Sequence, residues 1–188
     1  DAFDSVVITT LPSAGELRFN DTAITQNEID NGYSVSKADL DGDSLTFVPA
    51  ADANGTGYAS FDFQVVDDGG TGNGGENTDQ SANTLTVDVT AVNDAPVASG
   101  DATLTAVNED TAEPAGATVS SLVSSSFDDS TDDVAGGSSP DSFAGIAITG
   151  YTEDTAKGEW QFSSDGTSWS AVTSVEGTPS DSSAVVLS

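Results

Sequence analysis

Carboxylates are the one reactive group this chain holds in quantity. Five clusters stand out: Asp39-Leu40-Asp41-Gly42-Asp43, Asp67-Asp68-Gly69, Asn93-Asp94, Glu109-Asp110, and Asp128-Asp129 with Asp132-Asp133. Oxygen donors on loops suit a hard divalent cation. Calcium takes about six to eight oxygen ligands, many of them carboxylates. Ordinary turn chemistry accounts for the same residues, because Asp before Gly or another Asp suits caps and turns. Both readings stand at this point.

Asp39, Asp41 and Asp43 sit at i, i+2 and i+4 around Gly42, as at the opening of an EF-hand loop. The twelfth position, however, is Ala50 and not Glu, so a full EF-hand is not expected. The rest of the composition narrows the chemistry. Of 188 residues, 32 are acidic and 3 basic, a formal net charge of −29. Cysteine, histidine and methionine are absent. That removes thiol and imidazole catalysis, Cys/His zinc sites and disulfides. Nucleic acid and acidic lipid headgroups are not expected partners of such a polyanion. Acidic pairs could serve a glycosidase, but with every sixth residue acidic they arise by chance. No Gly-x-Ser-x-Gly elbow occurs, and the stretch Gly69–Gly75 lacks the Lys of a phosphate loop. The chain is not expected to be an enzyme.

These loops need elements to hold them. Aspartate outnumbers glutamate 24 to 8, which favours turns over helix interiors. The apolar period is two. Leu45–Val48, Phe61–Val65 and Leu85–Thr90 alternate, as half-buried antiparallel strands do. Val6–Ile8, Ile146–Ile148, Glu159–Phe162 and Ala184–Leu187 are further strands. Asp41-Gly42, Asn54-Gly55, residues 69–75 and Asp165-Gly166 read as the turns between strands. Helix is expected only as short pieces in 21–30, where Thr25 and Glu28 form a capping box, and in 117–127. Phe47, Phe61, Phe63 and Trp160 read as core. Trp169, after a hairpin tip, reads as exposed and could offer a sugar platform.

An internal repeat is also present. Phe3–Thr10 lines up with Phe143–Gly150, and Gly15-Glu16-Leu17-Arg18-Phe19 with Gly158-Glu159-Trp160-Gln161-Phe162. The period of about 140 residues leaves both copies cut by the chain ends. The first lacks its opening strands and the second its closing ones. Either flanking chain or neighbouring subunits would then complete them. With no initiator Met, no charged-then-apolar leader and an apolar run at 184–187, the chain reads as a window from something longer. No run of 18 apolar residues exists, so no span by an apolar helix is expected.

Four stretches resemble one family. Val92-Asn93-Asp94-Ala95-Pro96 resembles the linker of cadherin-like tandem repeats of large bacterial calcium-dependent, RTX-type surface adhesins. Phe47–Thr56 is similar to their Phe-x-Pro-x-x-Asp-x-Asn-Gly-Thr element, and Asn108-Glu109-Asp110-Thr111 to the element opening each repeat. Residues Trp160–Trp169 are similar to a Trp-Gln-Tyr-Ser-x-Asp-Gly-x-x-Trp stretch of the same proteins. The resemblance implies an all-β fold of tandem Ig/cadherin-like antiparallel β-sandwich modules, both truncated by the chain ends, over 1–95 and 96–188. It implies a calcium-stiffened spacer on the bacterial cell surface, with Ca²⁺ held by Asn93, Asp94, Glu109 and Asp110. Asp67 and Asp68 are added as strand-end ligands, and Asp39, Asp41 and Asp43 as a separate loop. The expected partners are neighbouring repeats or neighbouring subunits. The alternatives are a filament or sheath subunit completed by strand addition, and a carbohydrate-binding module.

Overall fold

The computed structural model describes residues 1–152, 154, 156–172 and 179–188. They form two compact units. The first comprises Asp1–Asp94 with Ser130–Pro140, the second Ala95–Asp129 with Asp141–Ser188.

The first unit is built from β1 (Phe3–Ile8), β2 (Glu16–Phe19), β3 (Thr22–Ala23), α1 (Gln26–Asp30), β4 (Ser34–Ser36), α2 (Lys37–Asp41), β5 (Leu45–Val48), β6 (Gly55–Asp67) and β7 (Asn83–Val89). Every strand pair in it is antiparallel, in a four-stranded sheet of order β4-β1-β6-β7 and a three-stranded sheet of order β3-β2-β5. Alternation along the strands sends one set of side chains inward. Val6, Ile8, Val35 and Phe61 from the first sheet and Leu17 from the second join Ile24 and Ile29 in one cluster. Phe63 packs against that cluster, half-buried. Phe47 is half-buried and meets Tyr58 edge to face, with ring centroids 6.2 Å apart. Gly15 makes the approach of β2 to β5 feasible: its φ is +68°, and a Cβ there would lie 2.5 Å from the Phe47 ring.

α1 carries the anticipated box. Thr25 Oγ1 accepts the Glu28 N–H, and the Glu28 carboxylate accepts the Thr25 N–H at 2.7 Å. That backbone bond, then the Thr25 hydroxyl, holds the Glu28 carboxyl below its usual range. The structure differs from the sequence reading over 36–43. The expected Asp-rich loop opens as a helix, because Ser36 caps it by accepting the Asp39 N–H at 3.2 Å.

The second unit holds β8 (Val97–Ala98), α3 (Val119–Val123), β9 (Phe127–Asp128), β10 (Ile146–Ile148), β11 (Gln161–Phe162), β12 (Ser170–Ala171) and β13 (Val185–Leu187). Its described strands pair two by two and antiparallel: β8 with β9, β10 with β13, β11 with β12. Thr118 caps α3 through the Ser121 N–H. Among its described residues the buried apolar side chains are Val172, Pro179 and Val185. Trp160, expected in a core, is 58% exposed. The strand expected over Glu159–Phe162 is confined to its last two residues. Of the second unit, residues 153, 155 and 173–178 lie outside the described set. Among the described residues no helix is long and apolar enough to cross a membrane.

Between β11 and β12 the chain turns on Asp165. Its Oδ1 accepts the N–H groups of Ser168 at 2.6 Å and Thr167 at 2.8 Å, and the Ser163 hydroxyl at 3.0 Å. Those bonds, led by the Ser168 N–H, hold its carboxyl well below the usual aspartate range. A depressed folded-state pKa gives stability present above the unfolded value and lost as pH falls through the folded one. Two outcomes are expected. Ile8→Ala, at a site 1% exposed, costs the first unit about 2–5 kcal/mol in urea unfolding. In an acid titration by NMR, the Thr167 and Ser168 amide shifts stay constant through the ordinary aspartate pKa of 3.8 and move only below it. Asp165→Asn removes that movement, and a midpoint at the ordinary value would overturn the account.

Candidate functional site

The structure distributes the nine expected ligands over four places. Asp39 and Asp41 lie on α2, two positions apart, so they do not share a helix face. The Asp39 carboxylate accepts the Ser36 hydroxyl at 2.6 Å, and Asp41 pairs with Lys37. Asp43 follows the helix end with φ +55°. The Ser36 hydroxyl and the Lys37 ammonium thus engage Asp39 and Asp41 separately, and the cluster is not gathered around one point.

Asp67 ends β6, Asp68 follows it, and the pair fastens the start of the chain. Asp68 Oδ1 accepts the Ala2 N–H at 2.7 Å, and the Asp68 N–H donates to the Ala2 carbonyl at 2.9 Å. Asp67 Oδ1 accepts the Gly69 N–H at 2.7 Å. A Cβ on Gly69 would lie 2.6 Å from that same oxygen and 2.7 Å from Asp1 Oδ2, so Asp1 joins this corner. Nothing in the sequence pattern singled out Asp1.

Asn93 and Asp94 close the first unit's main stretch. The Asn93 side chain donates to the Asp94 carbonyl at 2.9 Å. The Asp94 N–H donates to Asp132 Oδ2 at 3.1 Å. Asp132 is 5% exposed and belongs to the excursion Ser130–Pro140 that rejoins this unit. Glu109 and Asp110 belong to the second unit, exposed in a turn where Asp110 has φ +61° and the Thr111 hydroxyl donates to the Asn108 carbonyl at 2.7 Å.

The excursion is secured by polar groups that the sequence reading left out of its site. Within the first unit Asn54, 9% exposed, clamps it. Asn54 Oδ1 accepts the Ser138 N–H at 2.7 Å, and Nδ2 donates to the Ser138 hydroxyl at 3.0 Å and to the Asp52 carbonyl at 3.3 Å. Gly137 is required beside it, since a Cβ there would fall 2.1 Å from Asn54 Oδ1. Within the second unit, Asp129 is 7% exposed and its Oδ2 accepts the Asp141 N–H at 2.6 Å, tying together the residues where the excursion leaves and returns. Asn54-Gly55 read as turn punctuation, and 128–133 as turn chemistry or a fifth acidic cluster. A long-range partner leaves no local pattern, so the clamp had no sequence signal beyond Asn-Gly on one side and Gly-Gly-Ser on the other.

The charge balance sharpens the picture. Each of the three basic side chains is paired close by in sequence: Arg18 with Glu16 at 2.8 Å, Lys37 with Asp41, Lys157 with Asp154 at 3.1 Å. These pairs are exposed and contribute about 0–1 kcal/mol each. The remaining carboxylates have backbone N–H groups, water or external cations to turn to. Among the described residues no three acidic side chains gather into a ready cation cage. At Asp94 the structure brings together one buried carboxylate, that of Asp132 on the backbone N–H, and the Asn93 carboxamide on the carbonyl. The donor chemistry is all-oxygen and fits a hard cation. It falls short of calcium's six to eight ligands unless carbonyls, water or further residues contribute.

No protein-family model matches the chain, and no curated protein or solved structure matches it.

Asn54→Ala leaves the half-buried Ser138 N–H without its partner. It is expected to cost about 1–3 kcal/mol and to raise amide exchange at Gly137 and Ser138 first. Unchanged exchange there would remove the clamp from the account.

Proposed function

We propose that the chain is a structural extender of an extracellular bacterial surface adhesin: tandem cadherin-like β-sandwich modules stiffened by calcium near Asn93 and Asp94. The observation that carries the reading is the contact of Asp94 with Asp132. A carboxylate 5% exposed is held against the backbone of the segment that resembles an interdomain linker. The antiparallel sheets of the first unit, with one shared cluster of apolar side chains, support the sandwich. A hairpin of matching register in each unit supports the tandem repeat: Arg18 lies opposite Ala23 and Phe19 opposite Thr22, as Gln161 lies opposite Ala171 and Phe162 opposite Ser170.

The mechanism is electrostatic. Two carboxylates about 4 Å apart repel by about 1 kcal/mol in bulk water and by several times that near a protein surface. Bound calcium supplies a divalent charge that turns the repulsion into attraction. Asp94 and Asp132 would hold it, with Asn93 as a neutral oxygen donor. Asn54 and Gly137 keep the excursion that carries Asp132 in place. Glu109 and Asp110 of the second unit, and Asp67 and Asp68 of the first, are separate cation ligands in this proposal and not part of that cluster. Calcium then converts a chain of modules into a rod that carries load from strand to strand.

A filament or sheath subunit is the second reading, favoured by one observation: apolar side chains of the second unit, Val186, Val97 and Trp160 among them, stand open to solvent.

The test is thermal unfolding with calcium and with chelator. Calcium at about 100 times its Kd is expected to stabilise by about 2.7 kcal/mol. Asp94→Asn combined with Asp132→Asn lowers the response at least tenfold in apparent affinity. A melting curve indifferent to millimolar calcium and to chelator would falsify the proposal.

A further inference from the structure

Three asparagines are followed by glycine: Asn31-Gly32, Asn54-Gly55 and Asn73-Gly74, all in the first unit. Such a pair carries its own chemistry. The glycine has no Cβ, so its backbone nitrogen can reach the asparagine side-chain Cγ without a clash. The new N–Cγ bond closes a five-membered succinimide. The amide nitrogen leaves as ammonia, taking the glycine N–H proton with it. Water then opens the ring at either carbonyl, to aspartate or to isoaspartate. One water is taken up, one ammonia is released, and nothing is oxidised or reduced. The following glycine makes the intrinsic reactivity of the three pairs alike, so the fold decides among them.

Two of the three are held. Asn54 is buried, and both polar atoms of its side chain are bonded to Ser138, with a further bond to the Asp52 carbonyl. Its Cγ cannot turn toward the Gly55 nitrogen without breaking them. Asn31 is exposed but closes α1. Its N–H reaches the Glu28 and Ile29 carbonyls, and its Nδ2 donates to the Asn27 carbonyl at 2.6 Å. The attacking nitrogen there, that of Gly32, donates to the Ile29 carbonyl at 2.9 Å. Asp-Gly pairs reach the same ring by losing water, and these too are engaged. Asp41 pairs with Lys37, Asp68 accepts the Ala2 N–H, and Asp165 accepts the Thr167 and Ser168 N–H groups.

Asn73 differs. It lies exposed in the loop between β6 and β7, in a single 3₁₀ turn, Gly72–Gly74. Among the described residues nothing bonds to its side chain. Its φ is +57° and its ψ 28°, and a Cβ on Gly72 or Gly74 would meet nothing within 4 Å. Turning its backbone toward the attacking geometry therefore meets no packing, and the flanking glycines make the rotation cheap. The stem of the loop is fastened below the tip. The Asp67 N–H donates to the Asn77 carbonyl at 2.9 Å, and the Asp79 N–H to the Val65 carbonyl at 2.8 Å. The tip opens without the sheet. We propose that Asn73 is a site of spontaneous modification by water, converted to aspartate and isoaspartate while Asn31 and Asn54 stay intact. The product carries one more negative charge in an exposed loop. The pair that the Ser138 clamp depends on is locked against the same reaction.

The test incubates the full 188-residue chain in mildly alkaline heavy-oxygen water and follows each asparagine by peptide mapping and mass spectrometry. Asn73 is expected to convert at least about tenfold faster than Asn31 or Asn54. Each event incorporates one heavy oxygen, and isoaspartate exceeds aspartate. In guanidinium the three rates are expected to agree within about threefold, because local opening no longer gates them. Asn73→Gln is expected to remove the acidic step that isoelectric focusing shows in the ageing folded chain, with urea unfolding of the first unit unchanged. Four results would overturn the proposal: Asn31 or Asn54 converting as fast as Asn73 in the folded chain; Asn73 staying intact there while the denatured chain converts; Asn73 keeping its lead in guanidinium, which makes local sequence the cause; or the acidic step persisting at its original rate in Asn73→Gln. The outcome is independent of calcium and of the tandem-module reading.

Discussion

With 32 carboxylates and three cations, this chain cannot neutralise itself, and its structure is organised around that shortage. The three cations are used up in exposed pairs with near neighbours. Many of the carboxylates instead turn to backbone N–H groups. Asp165 holds a hairpin turn, and Asp79 accepts from Ser81 and Asn83. Asp88 takes the Gly57 N–H at 2.6 Å beside the irregularity in the β6–β7 ladder. Asp68 fastens the start of the chain, Asp129 ties the ends of the excursion, and Asp132 holds Asp94. Each such bond satisfies an orphan donor and costs less than burying a bare charge. The aspartates are the fold's turn and staple chemistry before they are anything else.

That constraint links the fold to the proposed function. A carboxylate bound to one or two N–H groups still has lone pairs to offer, and its charge remains. A divalent cation is the economical way to relieve the accumulated repulsion, because it adds charge without adding a side chain. The two units differ in how much apolar burial backs up this polar scaffold. The first has a cluster of seven buried apolar side chains. The second has three among its described residues.

The strand pattern was legible in the residues. Period-two alternation marked β5, β7 and the middle of β6, and Thr25 with Glu28 marked α1. The repeat offset located β10 and β11, because apolar spacing and hairpin composition survive in sequence. The reading of 39–43 as a loop did not anticipate α2, since one capping serine outweighed three turn-favouring aspartates.

Sequence alone determined the chemistry: oxygen donors without nitrogen or sulfur ligands, antiparallel strands, and the stretches of local turn. Those follow from composition and from interactions a few residues long. Tertiary structure decided which acids matter. It buried Asp132 beside Asp94, set Asn54 against Ser138 across 84 positions, and left Trp160 in solvent where Leu17 is enclosed. Contacts of that kind depend on which distant segment arrives, and no local spacing encodes an arrival.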